Sequence, residues 1–240
     1  MKKTIRISVL AAFTLIGTAS FGQSLNFSGG FTSSTMKGEY TTDMSSTSTF
    51  DGTTYSESFA YKNLSGYNAS IGYEFKLGNR LSLETGFKYI TRGYKIESEY
   101  SYSNSFYTSS EKSTHKYRLN YFDLPVVLNT AILTGDVKVY ARTGIYIGLM
   151  TGGNFSTRSE YAGTDGNGSS ESNEKISGDD MGDLSERIGG GFVMGVGAEF
   201  KGFFFEANYT LGTYSFEYLD DEMYTHDLSL SIGYKLKFNK

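Results

Sequence analysis

Short stretches along the chain alternate between apolar and polar residues, and this alternation predicts β-strands. The segment "LSLSIGYKLKF", residues 228–238, places six apolar residues on one parity and five small or cationic residues on the other. Successive side chains of a strand point to opposite faces, so this segment would have one apolar and one polar face. The same pattern predicts seven further strands, near residues 24–36, 66–77, 81–95, 116–132, 136–150, 188–201 and 203–217.

The connections between the predicted strands alternate in length. Three of them are tight turns, "LGNR", "LTGD" and "KG", whereas long polar stretches lie near residues 38–62, 98–115, 152–187 and 218–225. Short turns at one end and long loops at the other are typical of barrels in bacterial outer membranes. The pattern predicts an all-β fold, an eight-stranded antiparallel transmembrane β-barrel with short periplasmic turns and long extracellular loops.

The polar parity of these strands carries most of their glycines and their charges. An eight-stranded barrel has a narrow interior, which favours residues without a Cβ and requires charges to be paired. We therefore predict a structural charge network in the lumen. Its members are Glu74, Glu84, Lys88, Arg92, Arg142, Glu199, Glu206 and Lys235. Two other interpretations are a solvated face of a soluble protein and a secreted lipocalin-like binder with its apolar residues inside.

The N-terminus and the composition indicate where the protein is located. Lys2, Lys3 and Arg6 precede the apolar run "VLAAFTLIG", and the small residues Ser20 and Gly22 follow it, which predicts a cleaved signal peptide over residues 1–22 and a barrel domain over residues 23–240. Without cysteine, the chain has neither a disulfide nor a lipid-modified cysteine. Acidic residues outnumber basic ones, 26 to 22, which argues against a nucleic-acid partner. The sequence has no apolar run of the roughly eighteen residues that a transmembrane helix needs.

The segment "NYFDLPVVLNTAIL", residues 120–133, contains the only proline. Because proline removes a donor from the β-ladder, we expect an interruption or a bulge at Pro125. The favoured interpretation is a strand end or corner without functional meaning. The alternative is that Asp123 and Pro125 mark a feature of the lumen.

This segment resembles the "Y-L-E-I-P-L-L-L" strand of the bacterial outer membrane protein beta-barrel domain family of small, porin-family barrels. Tyr121, Asp123 and Pro125 match that motif, with Asp in place of Glu. The stretches "YARTGIYIGLM", "GGGFVMGVGAEF" and the closing "LSLSIGYKLKF" are similar to the family as well. The resemblance implies an eight-stranded barrel, contact with outer-membrane lipid and insertion by the barrel-assembly machinery, and it implies no particular activity. Members usually end in an aromatic residue, whereas here Asn239 and Lys240 follow Phe238.

Few residues offer catalytic or metal-binding chemistry, and we expect no cofactor. His115 and His226 lie at loop ends of predicted strands, but Asp227 would face away from His226 on a strand, which favours a solvated rim pair. The acidic stretch at residues 154–186 includes "TDGNGSSESNE", whose carboxylate spacing departs from a calcium loop, so a flexible solvated loop is favoured.

These patterns predict a non-enzymatic integral outer-membrane protein with a largely filled lumen. Its exposed loops would serve adhesion, envelope protection or binding of an unknown extracellular or periplasmic partner. The aromatic residues at 50–61 would continue a hairpin above the membrane, where an edge could pair with a partner strand. The alternatives are a small-pore porin and an outer-membrane hydrolase or acyltransferase that uses His226.

Overall fold

Ten β-strands make up the computed structural model, which describes residues 23–37, 43–177, 187–213 and 224–238. Their bounds are β1 Gln23–Lys37, β2 Met44–Phe50, β3 Thr53–Lys76, β4 Leu81–Ser103, β5 Thr108–Leu133, β6 Val137–Gly163, β7 Gly166–Ile176, β8 Ile188–Phe200, β9 Phe203–Thr213 and β10 Tyr224–Phe238. Within these ranges no helix is both long and apolar enough to cross a membrane. The predicted signal peptide, residues 1–22, lies outside the described residues.

Eight of the strands close into a ring. The order is β1, β10, β9, β8, β6, β5, β4 and β3, and antiparallel pairing of β1 with β3 closes it. The remaining two described strands lie outside the ring, β2 beside β3 and β7 beside β6. The predicted eight-stranded antiparallel barrel is therefore confirmed, and each predicted strand corresponds to one strand of the ring.

The two ends of the barrel differ as predicted. Phe200 and Phe203 are joined by Lys201 and Gly202, whose φ values of 50° and 87° are those of a two-residue hairpin turn with both central residues left-handed. Gln23 and Phe238 are paired at this same end, which is the periplasmic one.

Most of the predicted long loops are strands instead. β3, β4, β5 and β6 contain 24, 23, 26 and 27 residues, whereas a tilted strand needs roughly 9 to 11 to cross a bilayer. Their outer halves pair with one another and with β2 and β7, giving a six-stranded antiparallel sheet that continues the barrel wall outside the membrane. We call this part the extracellular sheet. The expected flexible loop at residues 154–186 is wrong as far as Ile176, because β6 and β7 form a hairpin there.

The apolar parity faces outward and the polar parity faces the lumen. On β10, Ile232 is 66% exposed, whereas Ser231 and Lys235 are 4% and 3% exposed. Neighbouring strands repeat this inversion and expose large apolar side chains on the outer wall, among them Phe27, Ile71, Phe87, Phe122, Ile145, Phe192 and Phe205. An apolar exterior suits lipid, so the soluble solvated face and the lipocalin-like interior are both wrong.

Pro125 lies in the middle of β5, so the favoured interpretation of a strand end or corner is wrong. Towards β4 the pairing stops after Val126 and resumes at Asp123 without a change of register, which confirms an interruption but not a bulge. On the other side Pro125 is paired with Tyr146 of β6. Pro125 and Asp123 both line an interior cavity, as the alternative interpretation expected.

Candidate functional site in the lumen and on the extracellular sheet

Three groups of charged side chains bridge the lumen, and the outermost is centred on Arg92 of β4. Its guanidinium donates two hydrogen bonds to Asp123 of β5, at 3.0 and 2.7 Å, and one to Asp227 of β10, at 2.5 Å. All three side chains are buried. The aromatic rings of Tyr121 and Tyr146 lie 5.2 and 4.8 Å from the guanidinium carbon. Since β10 and β4 are separated in the ring by β1 and β3, this cluster ties opposite parts of the wall together.

The middle group is centred on Arg142 of β6. Its guanidinium contacts Glu84 of β4 at 3.0 Å and also pairs with Glu206 of β9. Tyr140 donates a hydrogen bond to Glu206 at 2.9 Å, and the Asn129 amide donates one to Glu84 at 3.1 Å. Each carboxylate therefore accepts from more than one donor, as a buried charge requires.

The innermost group lies near the periplasmic end and is centred on Lys235 of β10. Its ammonium lies 2.6 Å from Glu74 and 3.5 Å from Glu199. Lys138 and Lys237 add contacts of 3.7 Å to Glu74 and 2.5 Å to Glu199. Lys237 is half exposed, so this group opens towards the periplasmic mouth.

The structure thus brings seven of the eight proposed network residues into ion pairs. The eighth, Lys88, makes no ion pair within the described ranges and lines an interior cavity of about 50 Å³ between the outer and middle groups. Asp123 and Asp227 belong to the clusters but were not assigned to them from the sequence. Asp123 shares the inward parity of its strand with Tyr121 and Val127. This alternation is the signal that could have identified Asp123 as a lumen residue.

Apolar side chains cover the outermost group on its extracellular side. Ile90, Leu119, Tyr121 and Met150 form a buried cluster, and Ile176 of β7 packs against it. The hairpin of β6 and β7 therefore helps to close the lumen towards the outside.

His226, on which the enzyme alternative depends, lies outside the lumen. Its Nδ1 lies 2.5 Å from the Tyr209 hydroxyl, on the outward parity, whereas Asp227 is fully buried inside. The two residues point to opposite faces, as expected. The solvated rim pair is nevertheless wrong for Asp227, since that carboxylate is paired with Arg92.

The extracellular sheet carries a row of aromatic residues on the face that continues the lumen wall. Tyr94 and Tyr117 are stacked with centroids 4.7 Å apart, and the ring of Phe155 lies 4.6 Å from that of Tyr117. Tyr61 extends the row at 6.5 Å from Tyr94, and His115 is parallel to Phe155 at 6.1 Å. The row spans four strands, from β3 to β6.

Metal chemistry has little support in the described part of the chain. No group of three or more His, Cys, Asp or Glu side chains is placed to hold an ion there. The segment that faintly resembled a calcium loop forms the turn at Thr164 and Asp165 and the following strand β7.

A closed ring of eight strands, an apolar exterior and a charged interior define a small outer-membrane β-barrel protein. The sequence matches the model of the family described as "Outer membrane protein beta-barrel domain" over residues 18–216. The chain belongs to this family and is a protein of the outer membrane.

Several solved structures are similar to the chain at low identity. They include Ail, the attachment invasion locus protein of Yersinia pestis (14% identity, 90% of this chain and 99% of that chain, TM-score 0.38). Neisserial surface protein A is 12% identical (88% and 97% covered, TM-score 0.40), and OprG from Pseudomonas aeruginosa is 10% identical (89% and 95% covered, TM-score 0.39). A search of curated proteins finds no significant match.

Proposed function

We propose that the protein is a non-enzymatic outer-membrane barrel that holds the extracellular sheet in place for adhesion, envelope protection or binding of a partner. The single observation that carries this proposal is the extension of β3, β4, β5 and β6 into a paired sheet well beyond the membrane. A barrel that served only as a membrane anchor would not require an ordered sheet with a half-buried aromatic row beyond the membrane. Such a row offers flat apolar surfaces for contact with a partner.

The interior of the barrel supports a filled lumen as part of this proposal. Ion pairs link strands that are not neighbours in the ring at three levels, and an apolar cluster covers the outermost level. Eight strands leave an interior that side chains can just fill. The barrel would therefore serve as a rigid base rather than a channel.

The proposal is tested by shortening the sheet while the barrel is kept. Glu97 pairs with Thr114, Met44 with Phe59 and Ser159 with Ser170, so residues 98–113, 45–58 and 160–169 can each be replaced by an Asn-Gly turn without a change of register. Cells that carry this trimmed chain should lose surface attachment or resistance to detergents relative to cells with the full chain. Equal behaviour in both assays, with equal amounts of folded protein, would show that the part of the sheet beyond the aromatic row is not needed, because the trimmed chain keeps that row.

The cavities of the barrel argue against the alternative of a small-pore porin. A cavity of about 270 Å³ opens at the periplasmic mouth, and it is separate from the interior one of about 50 Å³. We expect planar bilayers with the purified chain to show no single-channel steps. Conductance that vanishes when Arg142 or Glu206 is changed would favour the porin instead.

The enzyme alternative depends on His226, which the described geometry leaves without a nearby carboxylate partner on its own face. Replacement of His226 by Ala should leave attachment and detergent resistance unchanged. A lipid or peptide cleavage activity of the purified chain that this substitution abolishes would overturn the non-enzymatic proposal.

A further inference from the structure

The outward face of the extracellular sheet carries a row of three lysines. Lys62 of β3 pairs with Lys95 of β4, and Lys95 pairs with Lys116 of β5, so the three Cα atoms are direct neighbours across the sheet. Like charges directly opposite one another destabilise a sheet. A row of this kind disfavours strand pairing, and an anionic partner would offset the repulsion.

The next row towards the membrane is cationic as well. Arg118 of β5 pairs with Asn154 of β6, which pairs with Lys175 of β7. We call Lys62, Lys95, Lys116, Arg118 and Lys175 the basic belt. The register between β4 and β5 is unbroken from Leu81 to Ser103, so the belt lies on the same face as the lipid-facing side chains Phe87 and Phe122.

Few protein groups neutralise this belt. Lys95 donates to Glu97 at 2.7 Å, and this hydrogen bond holds the pKa of the Glu97 carboxyl below its usual value. The other four cations make no ion pair with any described residue. The two rows contain no acid between β3 and β7. On the same face, the next row out carries Glu97, Arg158 and Glu171, and the row after it carries Glu99, Lys112 and Glu160.

The height of the belt matches a layer of lipid headgroups. Tyr67, Tyr89 and Phe122 form a contiguous aromatic group on the outer wall, with centroids 5.8 and 5.4 Å apart, of the kind that lies at a membrane interface. Arg118 and Lys116 are four and six residues beyond Phe122 on β5. At a rise of about 3.3 Å per residue and a tilt of about 40°, they lie roughly 10 to 15 Å above the aromatic group.

We propose that the basic belt binds the phosphate groups of a phosphorylated lipid in the outer leaflet, on the side of the barrel formed by β3 to β7. The rows at this height carry cations without acids, and the rows above them carry both signs, which is the charge order that a thin anionic layer would select. Lysine and arginine bind phosphate through charge-assisted hydrogen bonds. The lipid would thereby fasten the base of the extracellular sheet to the membrane surface.

The test titrates the folded full chain in detergent with diphosphorylated lipid A and counts bound lipid by native mass spectrometry. A variant with Lys62→Ala, Lys95→Ala and Lys116→Ala should bind on the order of a hundredfold more weakly, at about fivefold per lysine. A control with Lys76→Ala, Arg80→Ala and Lys201→Ala makes the same change of charge at exposed positions of the periplasmic end and should bind as the unmodified chain does. Conservative Lys116→Arg should retain binding, and salt should weaken it.

Stability separates a binding role from a structural one. Removal of three mutually repelling charges should leave the urea midpoint of the triple variant unchanged or higher. A lower midpoint, equal binding by the triple variant, or equal binding of lipid A without its phosphates would overturn the proposal. Lysine-dependent capture of inorganic phosphate or of a soluble sulfated polysaccharide, without capture of lipid A, would assign the belt to a soluble anion instead.

Discussion

Arg92 joins three strands through two buried carboxylates. Its contacts with Asp123 and Asp227 are 2.7 and 2.5 Å long, and none of the three side chains is more than 3% exposed. A charge that is removed from water in this way needs all of its partners. The outermost cluster is therefore the part of the lumen most sensitive to a single substitution.

Replacement of Arg92 by Leu should strongly destabilise the barrel. It leaves two buried carboxylates without their partner, at a cost of about 3 to 5 kcal/mol in the free energy of unfolding. Urea titration in lipid vesicles measures the effect. The exposed pair of Arg158 and Glu160, at 2.9 Å, supplies the control, because Arg158→Leu should cost less than about 1 kcal/mol. Equal effects of the two substitutions would contradict a buried network.

Gly197 makes room for a tyrosine in the lumen. A Cβ at this position would lie 2.4 Å from the ring of Tyr140, whereas a Cβ at Gly72, also inward, would meet Glu84 at an ordinary 3.5 Å. Gly197→Ala should therefore lower the free energy of unfolding by about 1 to 3 kcal/mol, as overpacking does. Gly72→Ala should have little effect in the same urea titration. If Gly197→Ala leaves the free energy of unfolding unchanged, the Tyr140 ring has space elsewhere in the lumen.

The sequence predicted inward charges better than it predicted their partners. Alternation placed Arg142 and Glu206 on the polar parity, but their contact depends on the closure of the sheet. Asp227 shows the limit most clearly. The adjacent His226 suggests catalytic chemistry at the rim of the barrel, whereas Arg92, the ion-pair partner of Asp227, lies 135 residues away in the chain. Only the ring order of β10, β1, β3 and β4 brings the two together.

At the scale of whole strands, the membrane-spanning parts were predictable and their extensions were not. Within the membrane, one parity must be apolar, which makes the alternation visible. Above it, both faces meet water, and the strands are rich in Ser and Thr on either side, as in "TSSEKSTHKYR" of β5. The period-2 signal disappears there although pairing continues, so the sequence predicts loops for the extensions of β4 to β6. The hairpin expected from the aromatic residues at 50–61 is confirmed by the pairing of β2 with β3.

An exposed apolar residue in lipid should respond differently from one in water. Ile232 lies in the middle of β10 on the lipid face, and Phe50 ends β2 on the extracellular sheet, 81% exposed. Ile232→Arg should lower the free energy of unfolding by about 2 to 4 kcal/mol, because an arginine near the bilayer midplane is costly. Phe50→Arg should leave it nearly unchanged. Unfolding in phospholipid vesicles measures both, and equal costs would contradict the assigned membrane position.

At the scale of the molecule, closure of the ring makes one cooperative unit of the barrel. β1 pairs with β10 on one side and with β3 on the other, so the ring leaves no free edge within its described strands. The extracellular sheet differs, because β2 and β7 each pair on one side only in the described residues. We therefore expect the barrel to resist unfolding by dodecyl sulfate as one unit, and we expect the extracellular sheet to add little to this resistance of the folded chain.

Migration in a dodecyl sulfate gel tests this expectation. The unheated full chain should migrate faster than the boiled chain, because the closed hydrogen-bonded ring remains compact in detergent. A chain that ends before Tyr224 lacks β10 and should give only the slow form, since β1 and β9 are then unpaired edges. The trimmed chain, with its three shortened hairpins, should keep the fast form and convert at a similar temperature. Loss of the fast form on trimming would mean that the extracellular sheet and the barrel fold as one unit, whereas a fast form without β10 would show that closure is not what resists the detergent.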